Sequence, residues 1–260
     1  MLEALERRML LSRAWFVAPS GSDRAAGTIS QPFLTIQHAA ALAEPGDTVF
    51  LRAGTYRETV TPAHSGTPSA PITYAAYNNE TVTIDGADLL TGWTKNAGSA
   101  TIYSTPQPWD LGEGQNQVFV DGVAMNEGGW PNTAIGAAQP ATAAITAVSS
   151  TVPGISSYYS ATATISVSGL PGASGAWNGA TIHFGAGQGW VIQTGTVISS
   201  GNGKLTFAYQ HQSGYETPSV GNRIYLTGKL VGLDSGGEWY RDPTTGRLDL
   251  WTPNGASPST

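Results

Sequence analysis

The sequence contains no cysteine, which excludes disulfides, iron–sulfur clusters and thiolate zinc sites. Charged residues make up only 12% of the 260 residues, and 12 Lys and Arg stand against 18 Asp and Glu, giving a net charge of -6. An acidic chain with no Lys/Arg cluster after its first residues is not expected to bind nucleic acid. No apolar run is long enough to span a membrane. An anionic polysaccharide would need a local basic groove that composition alone does not reveal.

Glycine is abundant instead, with 33 residues. This turn-rich composition, together with many Thr, Ser, Ala and Val residues, is typical of β architecture. One segment departs from it: FLTIQHAAALA, residues 33–43, carries apolar side chains at near-helical spacing and is followed by Pro45 and Gly46. We therefore expect a mainly β fold with one substantial helix.

Short β-type runs follow the predicted helix, and they are led by Val49, Val60, Ile72 and Val82. Every second run recurs after about 22 residues, a period typical of solenoid coils that contribute two or three parallel strands each. The preceding helix would cap the apolar end of such a solenoid. A sandwich built from regular hairpins has similar spacing and is the alternative.

The spacing is lost after Trp93, where alternating runs such as VFV at 118–120 and TIHF at 181–184 begin. Alternation with one apolar face predicts packed antiparallel sheets. Near the end of the chain, EWY at 238–240 and LDLW at 248–251 flank a turn that contains Pro243. A turn of this kind between β-type runs predicts a hairpin.

Three stretches resemble the opening of right-handed parallel β-helix proteins, many of which are carbohydrate-active enzymes: FVAPSGSD, PFLTIQHAAALAEPGDTVFLRAGTYRETV and PITYAAYNNETVTIDGADLLTGW. The resemblance is dense over residues 15–93, looser over 114–132, and strong again over 225–255. In similar proteins, including a group of β-xylosidases, a β-sandwich or barrel-like domain is inserted after the first coils, and later coils carry the catalytic groups.

The resemblance implies a mainly β fold that begins a right-handed parallel β-helix with an N-terminal capping helix and carries an inserted antiparallel sandwich or barrel-like domain. Residues 15–93 would form the capping helix and first coils. Residues 94–235 would form the inserted domain, and residues 236–260 a return hairpin to a β-helix whose remaining coils are expected beyond Thr260.

The N-terminal segment, residues 1–14, is interpreted separately as a leader. LEALERRMLLS, residues 2–12, resembles the Leu-Glu-x-Leu-Glu-x-Arg-x-Leu-Leu-Ser motif at the start of large exported proteins of planctomycete-type bacteria. This resemblance implies an extracellular or cell-envelope location. An ordinary frayed helix is the alternative.

Candidate site residues come from two short stretches. Glu127 and Trp130 in MNEGGWPN could form the wall of a sugar cleft, because aromatic faces stack on pyranose rings, and Glu238 and Trp239 are similar candidates. Tryptophans packed at a domain junction are the alternative. Glycoside hydrolysis requires two suitably spaced carboxylates, but the sequence does not identify a catalytic pair.

No metalloprotease, nucleophile-elbow, phosphate-loop or dinucleotide motif occurs, and the four histidines never fall at metal-ligand spacing. We expect no metal and no cofactor, with calcium possible only if the protein is a lyase.

The sequence therefore predicts an N-terminal fragment of an extracellular polysaccharide-degrading enzyme, either a glycoside hydrolase or a polysaccharide lyase, with its catalytic coils beyond residue 260. The alternative is a non-catalytic surface protein that binds carbohydrate. In both cases the expected partner is a polysaccharide or oligosaccharide. Leu248, Leu250 and Trp251 would lack a following coil, which predicts an exposed apolar end and self-association through it.

Overall fold

The structure is a computed structural model that describes residues 12–112, 114–151, 159–211 and 216–258. The chain is mainly β and divides into two units, residues 1–89 and residues 90–260. Most of the expected leader, residues 1–11, lies outside the described residues. Within the described ranges, no helix has both the length and the apolar character needed to cross a membrane.

In the described part of the first unit, residues 12–89, the chain forms five short strands and one α-helix. The strands are β1 (Ala14–Val17), β2 (Thr48–Leu51), β3 (Gly54–Arg57), β4 (Thr73–Ala76) and β5 (Val82–Asp85). They form a three-stranded sheet in the order β1-β2-β4 and a two-stranded sheet of β3 and β5. Every one of these pairings is parallel, as expected of stacked coils rather than of hairpins, which pair antiparallel strands.

The register differs from the one that the apolar spacing predicts. Val82 pairs with Gly54, not with the run around Val60, so the partner strand of β5 lies earlier in the chain than expected. Residues 59–61 form no strand. The reason is local: Thr61 donates its backbone N–H to Oε1 of Gln37, and Gln37 Nε2 donates to the Thr61 carbonyl oxygen, so this segment bonds to the helix.

Helix α1 (Ile36–Leu42) is shorter than the predicted segment 33–43. It begins after Thr35, whose extended backbone and hydroxyl cap the first turn by accepting a hydrogen bond from the His38 N–H. The unit's core comprises buried apolar side chains of the helix and the parallel strands, namely Val17, Phe33, Ile36, Ala39, Ala43, Val49, Leu51 and Tyr56. Val60 packs against this core while half-buried.

The second unit contains thirteen strands among its described residues. They are β6 (Thr94–Lys95), β7 (Ile102–Pro106), β8 (Val118–Val120), β9 (Val123–Glu127), β10 (Gly129–Trp130), β11 (Ala143–Thr151), β12 (Tyr159–Val167), β13 (Thr181–Ala186), β14 (Val191–Gly201), β15 (Lys204–His211), β16 (Arg223–Thr227), β17 (Glu238–Asp242) and β18 (Arg247–Trp251). Short 3-10 turns occur at Tyr77–Asn79 and Leu230–Gly232.

Six of these strands close into an antiparallel barrel. The sheet runs β16-β11-β12-β15-β14-β13, and β13 then pairs with β16. Its interior is filled by large buried side chains that include Trp177, Phe184, Phe207 and Leu226. The sequence predicted a sandwich or barrel-like domain, and the β13–β16 pairing makes it a barrel, which leaves these strands without a free edge.

Strand β10 pairs with barrel strand β16, and the other six strands form a sheet in the order β6-β7-β18-β17-β9-β8. Strands β17 and β18 form the hairpin that the Pro243 turn predicts. The hairpin is flanked on both sides, since β18 pairs with β7 and β17 pairs in parallel with β9. The sheet thus combines segments that precede the barrel in sequence with segments that follow it.

The predicted exposed apolar end is wrong at Leu248 and Leu250. Both side chains are buried, in a cluster with Met125 and Trp239. The physical reason is the pairing of the hairpin with β7 and β9, which covers the apolar residues that a following coil was expected to cover. Self-association through these two leucines therefore loses its structural basis.

Candidate functional site

A cleft of about 230 Å³ lies where the six-stranded sheet meets the barrel. Strand β9 ends at Glu127, and β10 then pairs with barrel strand β16, with Gly129 opposite Thr227. Strand β17 starts beside β9, with Glu238 opposite Asn126. The cleft is lined by side chains and backbone of these strand ends and the following loop, namely Asn126, Glu127, Gly129, Pro131, Thr133, Ala137, Ala138, Gln139, Pro140, Tyr225, Leu226, Thr227 and Glu238.

Glycines allow the backbones to approach closely at this junction. A Cβ on Gly232 would lie 2.6 Å from the backbone nitrogen of Gly129, and a Cβ on Gly129 would collide with the carbonyl oxygen of Leu226. The Gly-Gly pair in MNEGGWPN therefore has a steric role, because any side chain here would separate β10 from β16 and from the turn at 230–232.

Glu238 is the most buried acidic side chain of the cleft, with 2% of its surface exposed. Its Oε2 accepts hydrogen bonds from the backbone N–H groups of Asp234, at 3.0 Å, and Ser235, at 2.9 Å. Burial raises the pKa of Glu238 to about 7, and the charge of Asp234 acts in the same direction, while the two backbone hydrogen bonds oppose the rise. Below neutral pH this carboxyl group therefore carries a proton.

The other oxygen of Glu238, Oε1, is available to a ligand. Among the described residues it makes no hydrogen bond, and the residue lines the cleft. Because Oε2 is held by two backbone donors, the proton of the neutral form is best placed on Oε1, where it can be donated outward.

Glu127 provides the second carboxyl group of the cleft. It is half-buried and lies beside Trp239 across the parallel strands β9 and β17. Its Oε1 lies 3.8 Å from the position that a Cβ on Gly228 would occupy. Tyr240 has a raised pKa because of burial, and the charge of Glu127 adds to that rise. The two acidic candidates from the sequence thus line one cleft.

Residues of strand β16 that the sequence did not identify form the opposite wall. The Tyr225 ring stacks on His183, with centroids 4.2 Å apart and planes 4° apart. His183 Nε2 lies 3.2 Å from the hydroxyl of Thr227. Burial raises the pKa of Tyr225. The sequence signal for these residues is the alternation along strand β16, in which Ile224 and Leu226 are buried in the barrel core and Tyr225 between them is not. Alternation does not reveal what the outer face of the strand contacts.

The two tryptophan candidates occupy packing positions. Trp130 is half-buried and packs against the barrel core. Trp239 is 4% exposed, belongs to the apolar cluster under the hairpin, and donates from its indole N–H to the Met125 carbonyl oxygen at 3.3 Å. Neither indole lines the cleft, which agrees with the junction-packing alternative. A substrate-binding role for Glu127 and Glu238 stays a prediction.

The charged side chains that line the cleft are carboxyl groups, those of Glu127 and Glu238. None of the described residues that line it is Lys or Arg. In the part of the chain that the structure describes, no group of three or more His, Asp or Glu residues could hold a metal ion. The cleft can therefore offer hydroxyl, amide and carboxyl groups to a ligand, without a cation of its own.

Comparison with known proteins finds sequence similarity over part of the chain. The model of a family described as Pel9A-like, right handed beta helix region, matches residues 15–134. The chain is 49% identical over 76 residues to pectate lyase PEL9 of Emericella nidulans and 49% identical over 74 residues to the uncharacterized protein YwoF of Bacillus subtilis. Each match covers 28% of this chain, and the chain spans 18% and 16% of these relatives respectively.

A solved structure extends the similarity to nearly the whole chain. A protein described as a glycoside hydrolase overlays 96% of this chain with a TM-score of 0.67, and the overlay covers 45% of that protein. Because the two sequences are only 17% identical, the likeness shows a shared fold and no shared activity.

Proposed function

We propose that this chain belongs to an extracellular, polysaccharide-acting protein built on a right-handed parallel β-helix. The observation that carries the proposal is the coincidence of two independent features over the same residues. Strands β1 to β5 pair with one another only in parallel, as successive coils would, and the β-helix family match begins at residue 15. The 49% identity to a pectate lyase in part of this chain supports a polysaccharide as substrate.

The reacting groups are proposed to lie outside the 260 residues. The chain spans less than a fifth of its curated relatives and under half of the glycoside hydrolase that it overlays. In this proposal the coils of the first unit start the β-helix, and the cleft of the second unit provides a sugar subsite lined by Glu127 and Glu238.

Two reaction classes fit the proposal. A lyase abstracts a proton next to a uronate carboxyl group and needs a cation, either calcium or basic side chains, to stabilise the carbanion. A hydrolase needs two carboxyl groups flanking the glycosidic bond and no cofactor. The partial identity to PEL9 favours the first class, and the overlay with a glycoside hydrolase is compatible with the second at the level of fold.

Carbohydrate binding without cleavage is a second candidate function. The observation in its favour is Glu238, which is buried and protonated below neutral pH. A neutral carboxyl group donates a hydrogen bond to a sugar hydroxyl and is not a nucleophile, although the same raised pKa would also suit the general acid of a hydrolase.

The experiment that separates these functions uses the protein expressed from its whole gene, incubated with pectate, xylan and galactomannan. Unsaturated, ultraviolet-absorbing products would identify a lyase, and new reducing ends without unsaturation would identify a hydrolase. Retention on a polysaccharide gel without any product would identify a binding protein. Finding no product and no retention with any of the polysaccharides would contradict the proposed function.

A further inference from the structure

We infer that a pocket in the loop of residues 19–32, beside the guanidinium of Arg24, binds an anionic sugar, one that carries a carboxylate or a sulfate ester. All residues that line this pocket belong to the first unit, so it is a separate site from the cleft of the second unit. The inference rests on the proposed function in taking the ligand to be a sugar.

The pocket has the size of a site for a disaccharide. Its volume is about 600 Å³, within the range of roughly 300 to 1,000 Å³ that is usual for sites of drug-sized ligands. The polar residues that line it are Ser20, Ser22, Arg24, Ser30 and Gln31. A short stretch of a longer sugar chain therefore fits between them.

The shape of the pocket is fixed by backbone contacts. The Ser22 N–H donates to the Pro32 carbonyl oxygen at 3.0 Å, and the Gly21 N–H donates to the Ala18 carbonyl oxygen at 2.8 Å. Gly21 allows the two sides of the loop to approach closely, because a Cβ there would collide with the Phe33 carbonyl oxygen. The walls are thus ordered before a ligand binds, which reduces the entropy cost of binding.

Arg24 brings a positive charge without a counter-charge. Among the described residues that line the pocket it is the charged one, and its guanidinium has no hydrogen bond or ion pair within the described ranges of the chain. The neighbouring Asp23 is bound elsewhere, since its carboxylate accepts from the N–H groups of Leu34 and Thr35, each at 2.9 Å, and from the Thr35 hydroxyl. A ligand oxyanion would complete the pairing of Arg24.

The other lining groups suit a sugar with a charge rather than a neutral one. The Ser20 hydroxyl and the Gln31 side-chain amide have no protein partner in the described part of the chain, so both can bind sugar hydroxyls. The described lining contains no aromatic side chain on which a pyranose face could stack. The charged contact with Arg24 must then supply most of the binding energy, which favours an anionic sugar.

The test is hydrogen–deuterium exchange of the protein expressed from its whole gene, read at the peptide that covers residues 19–33. The probes are digalacturonate, sulfated galactobiose, neutral galactobiose and inorganic sulfate. At about 0.02 M salt we expect at least one anionic disaccharide to protect this peptide with an affinity about fivefold above that of galactobiose. At about 0.5 M salt the difference should fall to about twofold, because an exposed ion pair is screened.

The two anionic disaccharides distinguish the source of the oxyanion. Protection by digalacturonate alone assigns a uronate, protection by sulfated galactobiose alone assigns a sulfated sugar, and protection by both assigns their shared chemistry. Each of these results supports the site. Equal protection by galactobiose, equal protection by inorganic sulfate, or no protection by any probe would overturn the inference.

Three variants make the result specific. Arg24→Gln removes the charge and should remove the preference for anionic disaccharides, whereas Arg24→Lys keeps the charge without the planar fork and should retain part of it. Arg24 is exposed, so both proteins should fold. Arg223→Gln, at an exposed arginine of barrel strand β16, is the matched control and should behave as the wild type. A preference that persists in Arg24→Gln would reject the assignment.

Failure here is distinguishable from failure of the proposed function. Cleavage or retention of polysaccharide by the protein expressed from its whole gene, without protection of residues 19–33 by any disaccharide, would reject the pocket and leave the polysaccharide-acting role intact. Finding neither cleavage nor retention would reject the role itself, and protection of residues 19–33 that depends on Arg24 would then still support the pocket.

Discussion

Glu238 lies directly beside Asn126 across the parallel strands β9 and β17, although the whole barrel separates the two residues in sequence. This pairing brings the end of the chain back to the segment that leads into the barrel. It also creates the cleft, because Glu238 and Glu127 become neighbours of barrel strand β16. The candidate site is therefore a product of long-range topology.

The ionisation of Glu238 should make the stability of the fold depend on pH. Its pKa is about 7 in the folded protein, above the ordinary value of 4.5, so between these values the folded state binds a proton that the unfolded state lacks. The contribution of Glu238 to the free energy of unfolding is then greatest below about pH 4.5. This contribution falls by up to about 3 kcal/mol as the pH rises through 7.

Urea unfolding from pH 5 to 7.5 measures this effect, and Glu238→Gln should flatten the curve over that interval. Asp23 and Asp47 have pKa values below the ordinary value of 3.8. Burial alone would raise both pKa values, but hydrogen bonds outweigh it. The strongest of these come from Thr35 to Asp23 and from the Arg13 backbone to Asp47. The stability that these two carboxylates contribute is lost only at pH values below the range of the experiment, so it does not affect the slope between pH 5 and 7.5. An equal slope in the wild type and the variant would show that Glu238 is not the responsible group.

Glu58 should stabilise helix α1 from outside the helix. Its carboxylate accepts hydrogen bonds from the backbone N–H groups of Ile36, at 2.8 Å, and Gln37, at 2.7 Å. These donors have no partner within the helix. Glu58→Ala should therefore lower the free energy of unfolding by about 1 to 2 kcal/mol. Denaturant titration measures this loss, and Glu44→Ala, which removes an exposed carboxyl group 3.8 Å from His64 Nε2, should cost far less.

Asp249 should be required for the packing of the hairpin. It is completely buried, accepts hydrogen bonds from Asn96 Nδ2 and Ser104, and pairs with Arg247. Asp249→Ala would leave the buried Ser104 hydroxyl and the half-buried Asn96 amide without this partner and should cost about 2 to 4 kcal/mol. Thermal unfolding reports the loss. Asp88→Ala, at an exposed position, is the control, and an equal effect of the two changes would contradict the account of the network.

Gly232 should be intolerant of any side chain. A Cβ there would lie 2.6 Å from the Gly129 nitrogen and 2.8 Å from the Gly128 carbonyl carbon. Gly232→Ala should displace the 230–232 turn, cost about 1 to 3 kcal/mol, and shift the amide signal of Thr227 in the cleft wall. Gly86→Ala, where a Cβ meets nothing within 4 Å, should leave stability and spectrum nearly unchanged, and an equally mild Gly232→Ala would disprove the close approach.

The local features of the fold followed from the sequence, whereas its long-range pairings did so only in part. Helix α1 and the β17–β18 hairpin were marked by nearby signals, the apolar spacing before Pro45 and the turn at Pro243. The coil register was misplaced because the segment around Val60 bonds to Gln37 rather than to a strand. Burial of Leu248 and Leu250 depended on partners far away in sequence, which no local pattern specifies.

The residues of the candidate site were likewise predicted only in part, because some of them depend on long-range pairing. Glu127 and Glu238 were identified because acidic residues beside Gly-Gly and Trp stand out in a chain with few charges. Tyr225 and Thr227 were missed, since their position in the cleft depends on barrel closure through β13 and β16. Glu58 caps helix α1, whereas the nearby Arg52 and Arg57 pair with Glu80 and Asp85, and local sequence does not reveal this choice of partners.

The central claim, a polysaccharide-acting protein, is tested most directly by electrophoresis of the protein expressed from its whole gene in native gels that contain polysaccharide. Retardation by at least one of pectate, xylan and galactomannan is the predicted result. Unchanged mobility in every polysaccharide would contradict the claim.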